Sequence, residues 1–134
     1  MGWTGGAWAQ AKGARKFIIG QSVPLTGAAD QIGLAYAAGA KLFVDAYNGR
    51  KNNSGPPLEL RQLDDSYDAA KAGANAKKLA ADGADVLFGF VGTASSDAGS
   101  DVAKAEGLAF FAPFAASDLQ RDSAHAHVFH VRPS

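Results

Sequence analysis

The sequence contains no cysteine, so neither a disulfide frame nor a thiolate metal site is available to it. It has no excess of either charge: Lys+Arg and Asp+Glu both count 13. A nucleic-acid footprint needs a basic surplus, which argues against that class of partner. No segment approaches the ~20 consecutive apolar residues of a membrane span. Gly20-Gln21-Ser22 lacks the G-x-G-x-x-G spacing of a dinucleotide loop, and no Ser, His and Asp stand as a nucleophile with its base. With 47% hydrophobic and 19% charged residues in 134, what remains is one ordinary globular core.

Residues 1–15 read differently from the rest. Met1 to Gly6 carries no charge and no apolar run, and Ala7-Trp8-Ala9-Gln10-Ala11 holds a small-x-small pattern of the kind signal peptidase cleaves. The basic start and the apolar stretch of ~7–15 residues that precede such a site are not there. The reading is a signal-peptide remnant, with a flexible tail as its alternative, followed by a folded unit over residues 16–134.

Within that unit strands and helices alternate. Lys16 to Val23 is a buried strand ended by Pro24. Ile32, Tyr36, Gly39, Phe43 and Tyr47 recur at helical spacing and predict an amphipathic helix with that face inward. Asn48-Gly49 stops it, and residues 51–57 form an exposed loop. Leu58 to Leu63 is another strand. Asp64-Asp65-Ser66 can cap the next helix, Asp68 to Ala81, whose inner face is Ala72, Ala76, Leu79 and Ala80, with Gly83 as C-cap. Further strands are expected at Ala84–Phe88, Leu108–Ala112 and, briefly, Val128–Val131, with a helix from about Ser96 to Glu106. The order β-α-β-α-β-α-β predicts an α/β three-layer sandwich: a parallel sheet, helices on both faces and right-handed crossovers. Ligands of such sheets lie beyond the carboxyl ends of the strands, here Ser22–Gly27, Asp64–Ser66, Gly89–Ser96 and Ala112–Ser117.

Three clusters invite chemistry. The stretch from Phe88 to Asp97 leaves an apolar strand through glycines and small hydroxyl residues into an alanine-rich helix. Free N–H groups and hydroxyls at a positive dipole end suit a small anion such as a carboxylate; equally, Ser95 and Ser96 could serve only as helix caps. Asp64 and Asp65 stand where a phosphoacceptor or Mg²⁺-binding pair would stand, which makes an α/β phosphoacceptor or Mg-dependent enzyme the alternative from another class. That site also needs an acid after the first strand, where Gln21-Ser22 stands instead, so capping and loop hydrogen bonds are the preferred account. His125 and His127 could converge on a metal from one strand face, but a solvated strand edge is the plainer reading of them and of His130.

Four motifs in order carry a resemblance. Ile19 to Gly27, Leu60 to Asp65 with Ala69-Ala70-Lys71, Phe88 to Thr93, and Gly107 to Ser117 are similar to the opening segments of type I periplasmic solute-binding proteins, the leucine/isoleucine/valine-binding branch that serves ABC importers. The similarity covers about Lys16 to Arg132. It implies a periplasmic or extracellular protein whose two lobes close on a small solute, often an amino acid, and present it to an importer permease. It implies no cofactor, no metal and no chemical step. A receptor or regulator using the same clamp is the alternative within the fold. The resemblance places ligand contacts at Thr93, Ser95 and Ser96, and at Ala115, Ala116 and Ser117 in the loop after the fourth strand. Family members often carry Thr or Ser where Ala116 stands. Those proteins are roughly three times longer, so the chain is expected to be the N-terminal portion of the first lobe, a fragment whose second lobe lies elsewhere in the same protein.

Overall fold

The computed structural model describes residues 15–133. The N-terminal expectation therefore concerns residues outside the described range, apart from Arg15. Five strands, β1 (Phe17–Val23), β2 (Leu58–Asp64), β3 (Val86–Phe88), β4 (Ala109–Phe111) and β5 (Val128–Phe129), alternate with three helices, α1 (Asp30–Asn48), α2 (Ala69–Ala81) and α3 (Thr93–Glu106). All strand pairs are parallel, in the order β2-β1-β3-β4-β5. The predicted parallel α/β architecture is what forms. The order reverses between β1 and β3, which opens a crevice beyond the carboxyl ends of those two strands.

One face of the sheet is closed by α2 and α3. Ala72, Ala76 and Leu79 of α2 and Val102 and Ala103 of α3 meet Leu87, Phe90 and Phe110 in one buried cluster. Small residues set the approach: a Cβ on Gly99 would lie 2.5 Å from the Phe90 ring, and one on Gly20 3.1 Å from Leu79. Both helices end in the same device. Gly83 and Gly107 turn at positive φ, and the N–H groups of Ala84 and Leu108 return to the carbonyls of Leu79 and Ala103. This reversal satisfies the last turn and aims the chain into the following strand.

The other face carries α1 alone, and here the predicted inner stripe is rotated. Gly33, Ala37 and Val44 are its buried residues, while Ile32 and Phe43 are 51% and 61% exposed. The cause is Gly33, where a Cβ would stand 1.8 Å from the Pro24 carbonyl oxygen. That close approach seats the helix on its small residues and turns the large ones to its flanks. Tyr36 then begins a row of rings across the sheet: Phe88 at 5.9 Å, Phe111 6.2 Å beyond it and Phe129 6.5 Å beyond that.

Candidate functional site

The β2–α2 loop is saturated with its own hydrogen bonds. Asp64 accepts from the Leu25 amide at 2.8 Å, the Thr26 hydroxyl at 2.6 Å and the Ser66 amide at 2.9 Å. These donors, Thr26 first, hold its carboxyl down at about 2, from 3.8. Asp65 is fully buried and accepts from the Ser22 hydroxyl at 2.8 Å and the Tyr67 amide at 2.9 Å. Burial outweighs those bonds and raises its carboxyl above the usual range. Asn75 closes the set by donating to the Ser22 hydroxyl and to the Asp64 carbonyl. The pair thus fastens the loop after β1 to the loop after β2, with its oxygens already committed to protein donors. Capping of α2 falls instead to Asp68, whose side chain accepts from the Lys71 amide.

The β3–α3 junction is built the opposite way. Gly92, at φ 93, redirects the chain so that α3 starts at Thr93, three residues before the expected Ser96. No side chain caps it. The Gly92 amide donates to the Phe114 carbonyl, and the Ser96 amide to the Gly92 carbonyl. Between them the amides of Thr93, Ala94 and Ser95 find no backbone acceptor among the described residues, as the first turn of a helix dictates. The early start also rotates Ser95 and Ser96 inward: both are buried, and the Ser96 hydroxyl donates to the Phe90 carbonyl at 3.4 Å. Neither serine is a cap.

Beyond these strand ends lies a cleft of about 420 Å³. Of the residues expected to meet ligand, Thr93, Ala115 and Ala116 line it, and Ser95, Ser96 and Ser117 do not. Phe114 of the loop after β4 lines it too, and so do Ile32 at the start of α1, Tyr67 and Arg132, which were not foreseen. Tyr67 belongs to this wall because its ring lies over Gly92, 2.7 Å from where a Cβ would stand. Backbone strain gathers at the same edge: Ser66, Tyr67 and Ala112 are the non-glycine residues at positive φ among those described. The Tyr36 hydroxyl donates to the Ala112 carbonyl at 2.8 Å and secures one of them.

The histidines form no metal centre. The His125 ring meets Asp122 at 2.6 Å, a carboxylate held below its usual range chiefly by that bond, and the His127 ring meets the Ser100 hydroxyl and carbonyl, each at 3.0 Å. Among the described residues no group of three or more His, Cys, Asp or Glu is placed to hold a metal ion.

Comparison with known proteins agrees with this fold. The family model described as "Periplasmic binding protein" matches residues 16–134. No curated protein sequence matches the chain. Among solved structures, the branched-chain amino acid transporter substrate-binding protein of Streptococcus pneumoniae, in complex with isoleucine, aligns with a TM-score of 0.82 at 21% identity, over 90% of this chain and 34% of that one. An ABC transporter substrate-binding protein from Desulfitobacterium hafniense gives 0.76 at 26% identity, over 90% and 35%. A solute-binding protein of an R. palustris ABC transporter, in complex with benzoate, gives 0.75 at 26%, over 87% and 32%. The chain spans about a third of the length of each. It belongs to the periplasmic binding protein family, and its parallel sheet is the type I fold of that family.

Proposed function

We propose that this chain forms the ligand-gripping wall of the first lobe of an extracytoplasmic solute-binding protein. Such a protein delivers a small carboxylate-bearing solute, an amino acid or a similar metabolite, to the permease of an ABC importer. The observation that carries the reading is the uncapped start of α3: among the described residues three amides of its first turn have no acceptor, and the exposed Thr93 stands on the cleft wall. N–H and O–H donors at a positive helix end suit the oxygens of a carboxylate. Ala115 and Ala116 present little bulk beside it and let a ligand come close to the backbone. The relatives' ligands support the class, since isoleucine and benzoate both join a carboxylate to an apolar body.

The mechanism is selective stabilisation of a closed form. A solute held on this wall gains its remaining contacts when the other lobe closes over it, so the bound state favours closure by the difference in contacts. The permease then reads the closed form. The reading is tested on the product of the complete gene by calorimetric titration with amino acids and simple organic acids. A micromolar or tighter complex with one of them is expected. Thr93→Val should weaken that complex by about 1–3 kcal/mol, since it removes a donor to a charged group. Ser96→Ala should leave affinity unchanged, because its hydroxyl is committed to Phe90. If no small solute binds the folded protein, the proposal fails.

A further inference from the structure

The cleft carries a polarity that its helix start does not explain. Arg132, just after β5, is its one charged lining residue. The guanidinium carbon lies 4.7 Å from the centre of the Phe114 ring, a cation–π contact that holds a flexible side chain against the wall. Phe114 is itself steadied by Tyr36, 5.4 Å away. The Arg132 carbonyl accepts from Arg121 at 2.7 Å, which pins the backbone beneath. Yet among the described residues no carboxylate pairs with the guanidinium. A cation–π contact consumes no N–H donor, so the guanidinium keeps its planar fork for a two-oxygen acceptor.

Among the described residues the same wall carries no carboxylate. Asp64 and Asp65, the acids of the neighbouring loop, are outside the lining and occupied by Leu25, Thr26, Ser66, Ser22 and Tyr67. Both charge-bearing features that remain, Arg132 and the α3 start, are positive. Much of the remaining lining is apolar: Ile32 and Tyr67 are half exposed, and Val91 and Phe114 lie in the same wall.

Resting on the solute-binding reading above, we infer that Arg132 is a specificity-determining residue. It pairs edge-on with the solute's carboxylate, beside the α3 start, while the solute's apolar body lies on Tyr67 and Ile32. The preferred solute is accordingly an organic acid with an apolar body and no ammonium group. A zwitterion brings its positive charge against a wall that is already positive.

Matched pairs separate the two chemistries: 4-methylpentanoate against leucine, and 3-phenylpropanoate against phenylalanine. They are titrated calorimetrically into the product of the complete gene, wild type and Arg132→Gln. The acid of at least one pair is expected to bind about tenfold or more tightly than its amino acid, as a charge-assisted contact warrants. Arg132→Gln should remove most of that preference, Arg132→Lys should restore part of it, and neither should shift the melting temperature of the unliganded protein. Amino acids that bind as tightly as the acids, or a preference untouched by Arg132→Gln, overturn the inference while leaving solute binding in place. Binding of none of the four, nor of any other small solute, overturns the solute-binding reading itself.

Discussion

Two loops at one edge of the sheet differ in how they treat their polar groups. After β2, every offered oxygen is met: Asp64 and Asp65 take donors from three segments and lock the loops after β1 and β2 together. After β3, the chain turns on a glycine with no capping side chain, and among the described residues three amides of the first helical turn have no acceptor, that of the cleft-lining Thr93 among them. The β2–α2 loop, with its paired carboxylates, is the more chemical of the two in sequence, and its role is structural. The β3–α3 junction is a string of small residues in sequence, and it holds the free donors. The lesson concerns where unpaired capacity lies: side chains rich in chemistry can be spent on architecture, while plain backbone is left open for a ligand.

That contrast predicts different penalties. Gly33→Ala should be the most damaging change, because the new methyl meets the backbone of Pro24 at 1.8 Å, next to the residues Asp64 holds. Neither backbone can yield cheaply, so a loss of about 3 kcal/mol or more is expected in urea denaturation. Asp65→Ala comes next. It leaves the buried Ser22 hydroxyl and Tyr67 amide without their acceptor, costing about 1–3 kcal/mol by the same measurement. Because Asp65 also holds the Tyr67 amide beside the cleft, any loss of solute affinity should stay small next to that of Thr93→Val, and a larger one would mean the pair belongs to the site.

The smallest effect is read against pH. The Asp64 carboxyl is lowered to about 2 from 3.8, so its ionised form favours the fold above 3.8 and that contribution disappears as pH falls toward about 2. Asp65 acts with the opposite sign: its carboxyl is raised by burial, so protonation on acidification favours the folded state. Asp64→Asn should therefore flatten or reverse the acid limb of a stability-against-pH curve in that window. An unchanged limb would show that Asp64 does not titrate against folding.

Much of the fold is legible in the chain because its signals are local. Apolar runs ended by Pro24 and Pro113, glycines at 83 and 107, and the Ala72–Ala76–Leu79 stripe each mark an element through short-range chemistry. The seat of α1 is the exception, and its reason lies outside the helix. Periodicity favours the large residues Ile32, Tyr36 and Phe43, but the seat is chosen by the contact of Gly33 with Pro24, which no helical wheel contains. The site divides likewise. Thr93, Ala115 and Ala116 lie in segments that point at the sheet edge from sequence alone. Ser95 and Ser96 fall inside instead of on the cleft because one glycine dihedral starts the helix a turn early and swings both hydroxyls inward.

The sequence by itself therefore determined the alternation, the parallel sheet and the edge at which a ligand is met, since each follows from hydrophobic period and chain-breaking residues. Only the tertiary structure decided which groups at that edge are spent and which are free. Gly92 gave the α3 start its direction, the sheet order brought Arg132 across from β5 onto Phe114, and Ser22 with Thr26 took up the carboxylates. Those outcomes depend on contacts between residues tens of positions apart, whose pairing exists only once the chain has packed.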